Sequence, residues 1–254
     1  MKELRYFYCP DLSNGVYATL PQEEAEHIQR VLRLNTGDSV VLTDGCGHVA
    51  QATISEIGKK QCTCQIQAIH DEARHWKGSI HIAVAPTKNI DRIEWLAEKA
   101  TEIGCDAIHL IECRFSERKH INKERLERIV LSAMKQSHKS FLPEITALHS
   151  FRQLVDSPFN GQRYIAHCYN DSDISLARKY LPSLLEGAPC QDCLVAIGPE
   201  GDFSIDEIEY AICHGFQPVS LGDSRLRTET AALFSVMLMN LNHSQDSQKR
   251  PLSQ

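Results

Sequence analysis

Ile197-Gly198-Pro199-Glu200-Gly201-Asp202-Phe203-Ser204 marks the point where an apolar run, Cys193 to Ile197, breaks at glycine and turns toward a helix. Ser204 and Glu207 have the spacing of a capping box, in which the serine hydroxyl and the glutamate carboxylate each satisfy an amide of the first turn. A helix therefore starts here. A buried strand that turns over glycines into a helix is the repeating unit of an α/β sheet. Gly198 and Gly201 permit backbone conformations closed to other residues and let a ligand approach the main chain. The turn lacks the Gly-Lys-Ser/Thr ending of a P-loop and the GxGxxG of a dinucleotide fold, and Glu200 and Asp202 would repel phosphate. Taken alone, a plain strand-to-helix connection explains it.

Outward from this turn, the chain from residue 79 alternates between two periods. Strand-like runs at 79–85, 107–112, 144–148, 163–167, 193–197 and 218–221 are separated by helical stretches at 91–103, 123–137, 151–156, 175–185 and 204–214. A last helix spans about 229–242. This alternation predicts an α/β domain with a mainly parallel sheet. Upstream, 38–44, 48–57 and 61–69 have strand character around a Gly45-Cys46-Gly47 turn, and 22–34 carries apolar residues at helical spacing. That is a small, mostly β module with one helix, joined to the rest by the polar stretch 70–78. The polar end, 243–254, reads as a disordered tail.

In sheets of this class ligands bind beyond the carboxyl ends of the strands. Three loops hold that place: the one after 163–167, the glycine turn, and the segment from Leu221 through Gly222, Asp223, Ser224, Arg225, Leu226, Arg227, Thr228, Glu229 and Thr230 to Ala231. Thr228 reads as the N-cap of the last helix, and Glu229 suits its positive end. Capping does not account for Arg225 and Arg227, two cations set just before a helix N-terminus. They point to an anionic partner such as RNA phosphate or a carboxylate.

The 254-residue chain has a formal charge of −6, which argues weakly against nucleic acid, but the charge is uneven. Residues 1–75 carry −3 and 141–254 carry −6, whereas 76–140 carry +3. Between Cys113 and Lys139 stand Arg114, Arg118, Lys119, Lys123, Arg125, Arg128, Lys135 and Lys139, opposed only by Glu117, Glu124 and Glu127. Such a face attracts phosphate locally, since screening acts over about 8–10 Å. A solvated helix with its own ion pairs is the competing reading, and charge alone favours it. The ten cysteines read as free thiols in a chain without a secretory signal. Cys62 and Cys64 alternate along a strand, and Cys190-x-x-Cys193 has no second pair at zinc spacing, so no metal is expected. No apolar run reaches membrane-spanning length and the start lacks a signal peptide, so a cytoplasmic location is expected.

Together, IGPEGDFS at 197–204 and LGDSRLRTETAA at 221–232 resemble the signature of the RsmE-type 16S rRNA (uracil-N3) methyltransferases, of the SPOUT class. Arg5-Tyr6-Phe7, HIQRVLRLNTG at 27–37, KNIDRIEWLAEKATEIG at 88–104 and Gln136-Ser137-His138-Lys139 extend the likeness over nearly the whole chain, in the right order. Two positions depart from the pattern. Asp202 stands where many relatives carry a second glycine, and Lys139 where arginine is usual.

The resemblance implies an α/β fold: a SPOUT domain over 73–244, with a trefoil-knotted, mainly parallel sheet, and a PUA-like RNA-binding β-barrel over 1–72. The knot is an exception to the usual rule of chain topology. Residues 245–254 would be the polar tail. It further implies S-adenosylmethionine (SAM) as methyl donor, 16S rRNA within the small ribosomal subunit as partner, and a homodimer. The donor site would comprise Ala166, His167, Ile197, Gly198, Pro199, Gly201, Ser220, Leu221, Gly222, Leu226, Thr228 and Ala231, with adenine against Ile197, Leu221 and Leu226. Uridine N3 is mostly protonated at neutral pH, so its methylation needs a base or a stabilised imide anion. Arg227 is the candidate for stabilising the anion; Glu200 and Glu229 are both candidate bases. Arg5, Arg30, Arg33, Lys88, Arg92, Arg118, Lys119, Arg128 and Lys139 are candidates to hold RNA, roughly half of them expected to be ordinary surface charges. Two rivals stand beside this reading: a SPOUT enzyme acting on another RNA position, and a non-catalytic RNA-binding ribosome-assembly factor.

Overall fold

The computed structural model describes residues 5–12, 15–58, 60–74, 76–169, 177–186 and 191–248. Backbone contacts divide the chain into two units: Met1–Arg74 with Leu131–Leu142, and His75–Val130 with Pro143–Gln254.

In the first unit, period-two burial builds one sheet from β1 (Tyr6–Tyr8), β2 (Tyr17–Leu20), β3 (Ser39–Thr43), β4 (His48–Ile57) and β5 (Cys62–Asp71). The strand order is β1-β3-β4-β5-β2, with β1 parallel to β3 and the other pairings antiparallel. Its core gathers Phe7, Leu20, Ile28, Leu42, Ile54 and both Cys62 and Cys64, which point inward together as their alternation required. Register shifts between Gln51/Ala52 and Ile54/Glu56 bend the long β4–β5 pair. Among the described residues β1 and β2 do not pair, so the sheet is a curled half-barrel rather than a closed one. The single helix expected over 22–34 is instead α1 (Gln22–Glu26) followed by a π-helical turn, His27–Leu32. Arg33, in the left-handed conformation at φ 51°, ends it.

The second unit holds β6 (Ile80–Val84), α2 (Ile90–Ile103), β7 (Ala107–Glu112), α3 (Lys123–Gln136, which the division between the units cuts), β8 (Glu144–Ile145), β9 (His149–Ser150), α4 (Phe151–Asp156), β10 (Gln162–Ala166), β11 (Lys179–Tyr180), α5 (Leu181–Leu185), β12 (Cys193–Ile197), α6 (Ile205–Cys213), β13 (Gln217–Ser220) and α7 (Thr228–Gln248). The strands pair in the order β11-β13-β10-β12-β6-β7-β8, every pairing parallel, with β9 also on β7. All five residues of β12 are buried, because helices cover both faces of a parallel sheet. On one face Phe151 and Val155 of α4 and Ile208 and Ala211 of α6 pack with Ile165, Leu194 and Ala196. On the other, α7 lies over β6 and β12 beside α2. This order makes β12, β10 and β13 neighbours, which brings the three candidate loops to one end of the sheet.

Several boundaries differ from expectation. The strand at 144–148 shortens to β8. The helix at 175–185 is a two-residue strand plus α5, which carries Pro182 in its first turn, where a proline is tolerated; residues 175–176 lie outside the described residues. α7 runs on to Gln248, well past 242, and its His243 is fully buried; 249–254, the rest of the expected tail, lie outside the described residues. The expected linker is partly packed: Trp76 is 5% exposed and its indole N–H donates to Asp106 at 2.8 Å. Cys190 and His75 also lie outside the described residues. No helix is long and apolar enough to cross a membrane among the described residues.

Candidate functional site

At the carboxyl ends of β10, β12 and β13 the register places Ile197, Ala166 and Val219 side by side, Ala166 pairing with both neighbours. These residues contribute to a cavity of about 970 Å³ whose walls are the three loops that follow. Ala166, His167, Ile197, Gly198, Pro199, Gly201, Ser220, Leu221, Gly222, Leu226, Thr228 and Ala231, the twelve positions expected to form a donor site, all line it. The polar groups on its walls are of both signs: Glu200, Asp202 and Asp223 against Arg92, Arg178, Arg225 and Arg227.

The glycine turn works differently from its sequence reading. Neither Gly198 nor Gly201 has a positive φ. A Cβ on Gly198 would lie 3.0 Å from the Phe203 amide nitrogen, and one on Gly201 would lie 3.1 Å from the Phe115 Cβ. What these glycines supply is close approach. The left-handed residue of the turn is Asp202, at φ 66°. Its carboxylate accepts the Cys168 amide at 2.8 Å through one oxygen and the Phe203 amide at 2.7 Å through the other. The Tyr169 hydroxyl donates to the Phe203 carbonyl at 2.9 Å. α6 then opens with its capping box, the Glu207 and Ser204 side chains each accepting the other's amide. Burial and the Asp202 charge push the Cys168 thiol above its usual range.

In the third loop the Ala231 amide donates to the Arg227 carbonyl at 2.8 Å, so Arg227 occupies the position just before the first helical residue. Thr228 is thus the first residue of α7 rather than its cap. Its hydroxyl donates to the Gly198 carbonyl at 3.1 Å and ties this loop to the glycine turn. Arg225 and Arg227 are exposed, while Glu229 is 7% exposed. Glu229 does not line the cavity. Its Oε1 lies 3.7 Å from Arg92 Nε, and its buried Oε2 has no hydrogen-bond partner among the described residues. Glu200, by contrast, is exposed on the cavity wall and accepts the Lys88 amide at 3.0 Å.

The nine RNA candidates divide between the units. Arg5, Arg30, Arg33 and Lys139 belong to the first. Arg5 is exposed, Arg30 lies 3.4 Å from Glu26, and burial holds the Lys139 ammonium below the usual lysine range. In the second, Arg92 lines the cavity. Arg118 donates to the Thr87 and Lys88 carbonyls and so braces the loop after β6. Lys88 pairs with Glu117 at 3.0 Å, Lys119 with Glu112 at 3.6 Å, and Arg128 donates to the Glu124 carbonyl. The basic face of α3 is therefore largely occupied by local pairs, Lys123–Glu127 and Arg125–Glu94 among them.

Cys168, Tyr169, Arg178, Asp202 and Val219 line the cavity without having been named for the donor site from sequence, and Arg92 had been assigned to RNA alone. Position in a strand-end loop would have found most of them. Arg178, whose guanidinium donates to the His167 carbonyl at 2.9 Å, carries no such signal. Among the described residues no group of three His, Cys, Asp or Glu could hold a metal ion.

Comparison with known proteins adds a family to this geometry. An RNA methyltransferase domain model matches residues 74–240, and an RNA methyltransferase PUA domain model matches 20–67. A ribosomal RNA small subunit methyltransferase E from Synechocystis is 32% identical over 93% of this chain and 77% of its own. The crystal structure of a probable rRNA-methyltransferase from Porphyromonas gingivalis, 41% identical, superposes with a TM-score of 0.85 and covers 96% of this chain and 100% of that one. A ribosomal RNA small subunit methyltransferase E from Neisseria gonorrhoeae, solved with bound S-adenosyl methionine, is 26% identical with a TM-score of 0.78, covering 94% and 98%.

Proposed function

The chain belongs to the RNA methyltransferase family, and from that premise we propose that it transfers the methyl group of SAM to N3 of a uridine in 16S ribosomal RNA. Its fold is of the SPOUT class with a PUA-like N-terminal unit. The observation that carries this reading is the cavity itself, where all three strand-end loops converge.

The cavity fits the donor. Ile197, Leu221 and Leu226 offer apolar surface to an adenine, backbone groups around Gly198 and Gly222 offer polar contacts, and the exposed Arg225 stands ready for a carboxylate. Bound there, SAM supplies an electrophilic methyl on a positively charged sulfur. The protein's share of the work is alignment and charge. Backbone and apolar walls hold the donor, which converts a bimolecular reaction into one of near-attack geometry. Arg227, exposed at the loop beside the cavity, stabilises the negative charge that develops on the uracil oxygens as N3 loses its proton. Of the two carboxylates, Glu200 lines the cavity and Glu229 does not, which favours Glu200 as the group that receives that proton. Glu229 holds Arg92, which faces the cavity.

RNA is the substrate, and the exposed Arg5 and Arg30 of the first unit are available to its backbone. The homodimer has support in the apolar side chains left exposed in the second unit: Trp95 on α2 and Met237 and Leu241 on α7. Sedimentation should give a dimer, and Met237→Glu with Leu241→Glu should shift it toward monomer. The absence of a membrane-spanning helix among the described residues accords with a cytoplasmic site of action.

The test is incubation with labelled SAM and small ribosomal subunits lacking methylation, followed by mass spectrometry of the nucleosides. Label in N3-methyluridine is the expected result. Label in another nucleoside would keep the enzyme and overturn its position. RNA binding without label, and no donor binding by calorimetry, would leave an assembly factor.

A further inference from the structure

The loop after β10 and the turn after β12 leave neighbouring parallel strands and become two walls of the cavity. Their strand register ends at Ala166 and Ile197. Beyond it, Asp202 bridges them, receiving the Cys168 amide from one loop and the Phe203 amide of its own. One residue further on, the Tyr169 hydroxyl meets the Phe203 carbonyl across the same gap. Asp202 makes these contacts from a left-handed backbone at φ 66°, a conformation costly for most residues and tolerated best by glycine, asparagine and aspartate. Backbone freedom alone would be met by glycine. The carboxylate adds two charge-assisted hydrogen bonds, which are stronger than neutral ones.

We infer that Asp202 is a positioning residue for the methyl donor: it stitches the Cys168 amide to the glycine turn and thereby sets the width of the cleft in which the donor lies. This rests on the reading of the cavity as the donor site. Both of its carboxylate oxygens are engaged by these amides, so Asp202 acts through the backbone of Cys168 and Phe203.

The experiment compares Asp202→Asn, Asp202→Gly and Tyr169→Phe with the wild type, measuring SAM affinity by calorimetry, the KM and kcat for SAM, thermal stability, and hydrogen exchange at the Cys168 amide. Asp202→Gly relieves the backbone and removes both acceptors. It should raise the SAM Kd and KM about tenfold or more, as loss of a charge-assisted hydrogen bond implies, with kcat changed far less and Tm close to wild type. Exchange at Cys168 should speed up. Asp202→Asn keeps the left-handed tolerance and one neutral acceptor, and should fall between the two. Tyr169→Phe should weaken SAM binding in the same direction by a smaller factor. An Asp202→Gly enzyme whose KM for SAM stays within about twofold of wild type, or whose loss of activity follows only a fall in Tm, would overturn the inference. Should the wild type bind no SAM at all, the reading of the cavity fails first and takes this inference with it, a result distinct from tight wild-type binding that the substitutions leave unmoved.

Discussion

Arg227 precedes α7 by one residue, with its side chain exposed beside the cavity and its carbonyl already committed to the helix. Replacing the side chain leaves that backbone bond in place, so Arg227→Ala should fold normally and bind SAM with unchanged affinity. Its kcat should fall by about 10²–10³, the loss typical of a removed charge-stabilising donor. Steady-state kinetics beside calorimetry check this, and near-wild-type turnover would remove Arg227 from the mechanism. Gly198 answers to sterics instead. A valine there would press on the Phe203 amide and on the backbone of Asp202, so Gly198→Val should weaken SAM binding by more than tenfold and cost about 1–3 kcal/mol of stability, read by chemical denaturation. At this scale the twelve positions named from sequence all line the cavity, but how each residue is set there was not legible. Glycine in a turn suggested unusual dihedrals at 198 and 201, whereas the unusual dihedral belongs to Asp202. Glu200 and Glu229 were equivalent as letters, and burial separated them.

The elements were legible to the extent that their periodicity was long. β7, β12 and α4 begin and end where their residues predict, and the capping box at Ser204 and Glu207 forms in both directions. Glu207 also accepts the Arg114 amide at 2.8 Å, so the start of α6 is tied to the loop after β7. Ser204→Ala should therefore lower stability by about 1 kcal/mol, as cap removal does, with little change in turnover, and a thermal melt measures it. β1, β2, β9 and β11 escaped notice because two to four residues carry no period to read; neighbours supply their partners. Thr228 was misplaced by one residue for a related reason. Its hydroxyl answers to the Gly198 carbonyl, 30 positions away, rather than to the amides of its own helix.

Across the whole molecule, the histidines of the second unit make stability depend on acidity. His109 on β7 stacks against His81, 2.9 Å between ring nitrogens, and burial together with the His81 and His149 charges pushes it down to about 4. Burial lowers His243 as well. An unfolded chain takes up protons near the ordinary histidine value of about 6.5, while the folded protein refuses the His109 proton until about pH 4. Stability should thus fall as pH drops through that window and level off beneath it, by at most about 3 kcal/mol from His109. Denaturation curves at pH 7 and pH 5 measure the loss, and His109→Gln should shrink the difference between them. The sequence by itself determined the fold class, the family and the strand-end loops that line the cavity. Those follow from local periodicity and from motifs in which each residue's neighbours in the chain dictate its type. Only the tertiary structure decided that β12, β10 and β13 lie side by side, that Arg92 turns into the cavity, and that Asp202 clasps Cys168. Those relations join residues remote along the chain, and strand order and burial, which set them, are properties of the packed sheet.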